Sequence, residues 1–242
     1  MSERKKARPV WQYDELKINS VMDYSMASQA AQYEERHGQV RNIAAENAQI
    51  LERLEKLIPG GLASARLLEI GTGTGAFART AAPRCAQVTA LDASQAMLDV
   101  AREKMEPLAL TNVELIQAGF LTFDFPENAY DAVVSSLALH HLPDVWKGEA
   151  LANIFRTLKP GGVLVLVDVM FACEGGEMAN YVPTLATPDL GEVMQTALIG
   201  HIAQEFSTFS WIMNAIVEHS GLKILEHQKF NQVTEIIVAR KP

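Results

Sequence analysis

The chain has 242 residues, 48% of them hydrophobic and 21% charged, and carries a formal net charge of −8. That length allows one large domain, or one domain with a cap, around a sizeable core. The acidic balance excludes nucleic acid as the main partner, because phosphate backbones are held by clustered Lys and Arg.

In chain order, Arg4-Lys5-Lys6 and Arg8 form a small basic arm that reads as a solvated tail. No signal-peptide core follows Met1, and no apolar run approaches the ~18 residues of a membrane-spanning helix. No membrane span is therefore expected. Residues 1–20 look irregular, with Trp11 and Tyr13 as anchors onto the body, and residues 21–38 mix Tyr24, Tyr33 and Arg36 with small side chains. From Val40 the pattern sharpens. Ile43, Ala44, Asn47, Ile50, Leu51, Leu54, Leu57 and Ile58 recur at helical spacing until Pro59-Gly60-Gly61 ends the run, so an amphipathic helix packs on a sheet that starts at Leu67.

Strands and helices then alternate. Residues 88–91 read as a strand ending in Asp92, and Ser94 caps a helix carrying Ala96, Met97, Val100 and Ala101. Residues 113–116 form a strand, and a loop through Phe120, Phe123 and Phe125 leads to another at 132–134. Asp144 can cap a helix that shows Ala150, Leu151, Ile154, Phe155 and Leu158 on one face. Lys159-Pro160-Gly161-Gly162 turns that helix into an apolar strand at 163–167, of the kind buried on both faces. These elements predict an α/β fold built on a doubly wound, mostly parallel, Rossmann-like sheet.

After Asp168 the rhythm breaks. Residues 171–204 hold Gly175-Gly176, Pro183, Pro188 and a helical stretch near 190–202; a connection this long is expected to be a cap over a site. A helix from about 205 to 219 follows, then strands at 223–230 and 233–239 that form an antiparallel edge hairpin and bring the sheet to seven strands. In that helix Phe206, Phe209, Ile212, Met213, Ile216 and Val217 share one face at ~100° per residue. Trp211 falls opposite and wants another surface: the cap, a second subunit or an acceptor, with packing under the cap as the first choice. Cys85 and Cys173 stand in no metal or redox spacing, which suits a reducing, cytoplasmic setting with no bound metal. Each is expected as a small buried or half-buried hydrophobe.

The chemistry gathers at Leu68-Glu69-Ile70-Gly71-Thr72-Gly73-Thr74-Gly75. An apolar run enters this stretch, glycines at every second position leave it, and a helix reopens at Ala76, the layout of a βα nucleotide site. The spacing is G-x-G-x-G, not the dinucleotide form G-x-G-x-x-G, and no Lys-Ser/Thr follows as a phosphate-binding loop requires. Asp92 lies 21 positions after Gly71, where a carboxylate meets the two hydroxyls of a ribose; otherwise it serves as a charge at the start of the next helix. Glu69, inside an apolar strand entry, needs a partner: a ligand's ammonium group, or a local Arg or Lys.

Four motifs together resemble the class I methyltransferases that use S-adenosylmethionine. They are Leu68 to Gly75, Leu91-Asp92-Ala93-Ser94-Gln95-Ala96-Met97, Tyr130-Asp131-Ala132-Val133-Val134-Ser135-Ser136, and Leu158-Lys159-Pro160-Gly161-Gly162. The resemblance covers residues 40–170, and Leu139-His140-His141-Leu142 is similar to the small-molecule branch that includes quinone-ring C-methyltransferases. It implies an N-terminal arm and helical lid at 1–39, a cofactor core at 40–170, the cap at 171–204, and a helix and hairpin completing the core at 205–242.

The same resemblance implies roles for single residues. Gly71, Thr72, Gly73 and Gly75 form the loop that faces the methionyl part of S-adenosylmethionine, with Glu69 behind it. Asp92 holds the ribose, Ala93 and Met97 line the adenine, and the Ser136 carbonyl accepts from the cofactor's amino group. Tyr24, Tyr33, Arg36 and His37 precede the sheet where the family folds a helix over the cofactor, and Arg36 is placed to meet the methionyl carboxylate. After the third strand the family pattern has Gly-Asp or Gly-Asn to meet the adenine amino group, but this chain has Ala118-Gly119-Phe120. Either a backbone group substitutes, with Phe120 against the ring, or the cofactor binds more weakly by about 0.5–1.5 kcal/mol, the value of one neutral hydrogen bond.

The expected reaction is in-line methyl transfer to a small, partly apolar acceptor, and the expected partner is that acceptor, with a homodimer left open. His140, His141 and Asp168 are the candidates for a general base near the methyl group, with at most one of the adjacent histidines facing substrate. The alternatives on the same fold are an S-adenosylmethionine-binding protein without methyl transfer and a nicotinamide-type oxidoreductase, which the glycine spacing disfavours.

Overall fold

The computed structural model describes residues 10–15, 26–38, 41–186, 191–231 and 233–242, excepting the side chains of 36, 37, 192–194, 197 and 201. Tyr24, Val40, Pro188, Leu190 and Gln232 lie outside the described residues. The core is a seven-stranded sheet of order β3-β2-β1-β4-β5-β9-β8. Its strands are β1 (Arg66–Ile70), β2 (Gln87–Asp92), β3 (Val113–Gln117), β4 (Tyr130–Ser136), β5 (Leu158–Asp168), β8 (Lys223–Lys229) and β9 (Glu235–Arg240). The first five run parallel, and β9 lies antiparallel between β5 and β8. The hairpin is therefore inserted in reverse: its last strand, not its first, docks on β5.

Period-two alternation sorts the core into two layers. Leu67 and Val134 point to one face, where α3 (Ile43–Leu57) covers them with Ile50, Leu51 and Leu54. Leu68 and Val133 point to the other, against Leu151 and Ile154 of α6 (Asp144–Thr157) and Met213 and Val217 of α9 (Ser210–His219). Burying each such aliphatic side chain contributes about 1.5–3 kcal/mol, so two-sided burial explains why residues 163–167 of β5 read as an unbroken apolar run. Asn42 caps α3 through Ala45 N–H at 3.0 Å, and Ser94 caps α5 (Gln95–Met105) through Met97 N–H at 3.2 Å. Asp144 does not cap α6; Pro143 holds that position, and the Asp144 carboxylate instead accepts from Lys147 Nζ at 2.8 Å and the Thr208 hydroxyl at 3.0 Å.

Winding reverses at β1: β2 and β3 lie to one side of it, β4 and β5 to the other. The crevice beyond the carboxyl ends of β1 and β4 is the switch point where ligands bind in such sheets. Of two short helices, α1 (Ala27–Ala31) and α2 (Tyr33–Gly38), the first packs against α5, while α4 (Ala76–Ala81) follows the glycine turn.

The region after β5 departs from the sequence expectation. Instead of one helix from 205, β7 (Thr208–Phe209) pairs in parallel with β6 (Met170–Phe171), and α9 starts only at Ser210. Phe206 therefore leaves the helix face and meets the Tyr13 ring edge-on at 6.3 Å. Trp211 is 51% exposed and stacks on Phe209 at 5.9 Å, not under the cap. Residues 171–204 fold as α7 (Met178–Leu185) and α8 (Glu192–Ala203), and Leu185 and Leu198 build a separate small core with Val169 and Phe171. Leu137 packs against this small core from the end of β4. Cys85 is buried and Cys173 half-buried, both as free thiols.

Candidate active site

The glycine turn is hung on the end of β2. Gly71 N–H and Thr72 N–H both donate to Leu91 O, at 2.9 and 2.8 Å, and Gly73 N–H donates to Asp92 Oδ2 at 2.8 Å. Asp92 Oδ1 accepts from Ser94 N–H at 2.8 Å, so one carboxylate ties the turn to the start of α5. Gly71 is required twice: its φ is +79°, and a Cβ there would lie 2.3 Å from the Ala138 Cβ. Gly75 does not face the crevice. Its φ of +78° opens α4, and a Cβ there would meet Met105 Cε at 2.5 Å, so this glycine serves helix packing.

The crevice encloses about 650 Å³ of empty space, part of it open to solvent, and its wall includes Gly71, Gly73, Asp92 and Ala93. Met97, Gly119 and Phe120 line its β3 side, and Leu137, Ala138 and Leu142 line its β4 side. Its walls are mostly apolar with a few polar groups, as in ligand pockets generally. Ser136 pairs with Val167 within the sheet and is not part of the wall; the residues after it take that place.

Glu69 and Thr72 stand behind the wall. The Thr72 hydroxyl donates to Glu69 Oε2 at 2.7 Å, so among the described residues the buried carboxylate finds a hydroxyl and the Ala78 N–H, not a cationic side chain in direct contact. Burial, with Asp92 adding to it, pushes the Glu69 pKa up to about 7. Burial likewise raises Asp92 to about 6, against the pull of the Ser94 and Gly73 amides.

From the N-terminal side, Tyr33 and Glu15 complete the wall. Neither Glu15 nor the adjoining Glu34 stood out in the sequence. Glu34 clamps α2 to the glycine turn: it accepts from the Thr74 hydroxyl at 2.5 Å and pairs with Arg79 at 2.9 Å and Lys104 at 2.7 Å. Burial works against its charge, but Lys104, Thr74 and Arg79 hold its pKa below the usual carboxylate value. Of Arg36 and His37 only the backbone, in α2, is described.

On the β4–β5 side the three candidate bases separate. His141 lines the crevice. His140 is 3% exposed and turned inward, with Nδ1 at 2.5 Å from Asp168 Oδ1 and Nε2 at 3.4 Å from Glu205 Oε2. Asp168 also accepts from His140 N–H at 3.1 Å and Val169 N–H at 2.8 Å, and it does not reach the wall. Burial opposes a charge on His140, but Asp168 and Glu205 beside it raise its pKa; burial raises Asp168 too, yet His140 brings it below its ordinary value. His140 and Asp168 are thus an ion pair that fixes the loop, leaving His141 as the candidate base in contact with the crevice. Glu205, which the sequence did not single out, forms a compact group with His140 and His141, their ligand-type atoms lying within 4.8 Å of one another. That spacing would admit a metal ion; in this structure His140 Nδ1 is already bonded to Asp168 and its Nε2 faces Glu205.

A bare-backbone turn, a carboxylate one strand over and an apolar crevice thus meet at the switch point of a Rossmann-like sheet. The residues present fit the cofactor implied by the motifs: Asp92 for hydroxyls, Met97 and Phe120 for a flat ring, open space beside Gly71 and Gly73.

Residues 67–162 match the model of a methyltransferase domain family. A demethylmenaquinone methyltransferase from Listeria welshimeri is 31% identical over 140 residues, which is 57% of this chain and 55% of that protein. A ubiquinone/menaquinone biosynthesis C-methyltransferase from Pasteurella multocida is 28% identical over 66% of this chain and 59% of its own length. The chain thus spans little more than half the length of these curated relatives. Among solved structures, Haemonchus contortus phosphoethanolamine N-methyltransferase 2, in complex with S-adenosyl-L-methionine, aligns with a TM-score of 0.72 at 20% identity, over 97% of this chain and 61% of that one. That likeness bears on the fold. The likeness to a methyltransferase domain thus lies in residues 67–162, and the chain is distantly similar to the menaquinone and ubiquinone C-methyltransferases. No helix among the described residues is long and apolar enough to cross a membrane.

Proposed function

We propose that this protein transfers a methyl group from S-adenosylmethionine, in line, to a small and partly apolar acceptor. One observation supports the reading above the others: Asp92 is bonded to Gly73 N–H at 2.8 Å in the wall of the crevice that the bare glycine backbone opens onto. When bound, the cofactor supplies an electrophilic sulfonium methyl. The chain's part is to orient and to exclude water. Asp92 accepts from ribose hydroxyls, Ala93, Met97 and Phe120 flank the base, and Tyr33 closes over Gly73. Leu137, Ala138 and Leu142 keep the acceptor end dry, which strengthens the polar contacts made there.

His141 takes the proton where the acceptor arrives protonated, while His140 and Asp168 act as positioning residues beneath it. The related quinone-ring enzymes support a ring acceptor, and the apolar wall agrees with one. The test is calorimetric titration with S-adenosylhomocysteine, followed by transfer of a labelled methyl to a panel of quinols, phenols and small amines. Binding with transfer to a ring acceptor is the expected result. Binding without transfer across the panel would leave a cofactor-binding protein, and no binding would overturn the reading.

A further inference from the structure

Gly119 has no side chain, yet the space one would occupy is filled. A Cβ built there would meet Glu15 Oε2 at 2.3 Å, its Cδ at 2.5 Å and its Oε1 at 2.9 Å. Glu15 comes from the N-terminal segment and is only 8% exposed. Leu121 N–H donates to both its oxygens, at 3.2 and 3.1 Å, and the Phe120 N–H and the Thr122 hydroxyl bond it as well. The Thr122 oxygen in turn accepts from Gly119 N–H at 2.9 Å, which locks the loop around the visiting carboxylate. These donors are all neutral, and burial raises the Glu15 pKa against them.

A carboxylate presents about four lone-pair directions. Three loop donors, one of them shared between both oxygens, fix this one in place in the wall of the crevice. Position matters as much as chemistry. Asp92 ends β2, and Gly119 follows the neighbouring β3, whose Gln117 pairs with Asp92. A nucleoside with its hydroxyls on Asp92 therefore extends its base past Ala93 and Met97 toward Phe120 and Glu15. Adenine offers one hydrogen-bond donor on its exposed edge, the exocyclic amine, and an acceptor-only group suits it.

We propose that Glu15 is the acceptor for the adenine amino group, delivered from the N-terminal segment into a loop whose own position 119 is glycine. The inference rests on the cofactor reading of the crevice. It makes the N-terminal segment part of the cofactor site and makes Glu15 a residue that selects adenine over other purines.

The test titrates S-adenosylhomocysteine, and its inosine counterpart with a carbonyl in place of the amine, into the full chain and its variants. Wild-type protein should prefer the adenosine form. Glu15→Ala should lose roughly 10- to 100-fold affinity for that form and little for the inosine form, as expected for one hydrogen bond to a charged group. Glu15→Ala combined with Gly119→Asp should regain much of the loss, because a carboxylate re-enters the vacated space; Gly119→Asp alone should weaken binding through collision with Glu15. Should Glu15→Ala fail to fold, the double variant carries the test: retained preference for the adenosine form supports the proposal, and lost preference overturns it. Equal losses for both forms, an unchanged affinity, or tighter binding by Glu15→Ala would each overturn it. Wild-type protein that binds neither compound would overturn the cofactor reading itself, a result distinct from those.

Discussion

The two flanks of the crevice both end in polar groups but use them in opposite ways. On the β1–β2 flank, Asp92 is held by two backbone amides and keeps acceptor capacity facing the crevice. On the β4–β5 flank, His140, Asp168 and Glu205 engage one another, and among the described titratable groups there it is His141 that lines the wall. A carboxylate fixed by main-chain N–H groups is a ready ligand for hydroxyls, whereas one paired with an imidazolium is scaffold. Strand-end acids of one sheet thus divide by the partner that tertiary structure gives them.

The largest effect expected on this contrast is from Asp168→Ala. Removing one member of a buried ion pair costs about 3–5 kcal/mol, so the urea midpoint should fall sharply while the folded fraction binds S-adenosylhomocysteine as before. A loss of affinity without loss of stability would move Asp168 from scaffold to site. Next, His141→Ala should slow transfer to a protonated acceptor about 100-fold, the lower end of what a positioned base contributes, with cofactor affinity intact. Full activity in steady-state assays would leave His141 as a wall residue only. Asp92→Ala should weaken S-adenosylhomocysteine binding by about 1.5–3 kcal/mol, read by calorimetry, and an unaltered isotherm would take Asp92 out of the site.

The smallest effect is on pH dependence, and it separates the flanks by sign. Asp92 and Glu69 sit at about 6 and 7 when folded, above their ordinary 3.8 and 4.5, so the stability they contribute is full below those ordinary values and is lost as pH rises through 6 and 7. Asp168 is lowered, so its contribution is present above the ordinary value of 3.8 and is lost as pH falls below it. Asp92→Asn should therefore flatten the decline in ligand-free stability between pH 4 and 6, measured by denaturant melts of the two proteins across that range. A decline of the same slope in both would show that Asp92 ionises freely in the fold.

Much of the frame was legible because local physics writes it locally. Short apolar runs place β1 through β5, and Ser94 marks the start of α5 by its hydroxyl. The G-x-G-x-G turn with Asp92 after it encodes a contact whose two halves come from adjoining strands. Asp144 misleads because a residue suited to capping finds stronger partners in Lys147 and Thr208, brought close only by the β6–β7 pairing. The same pairing shortens the last long helix and leaves Trp211 facing solvent.

The fold class, the glycine turn and the strand that ends in Asp92 belong to the sequence alone, since hydrophobic period and glycine spacing act over a few residues. Only tertiary structure decided which acid faces the crevice and which is buried in an ion pair, and that Glu15 stands where Gly119 leaves room. The reason is physical: a charged side chain's role is set by the donors around it after the chain has closed, and those donors come from segments far apart in sequence.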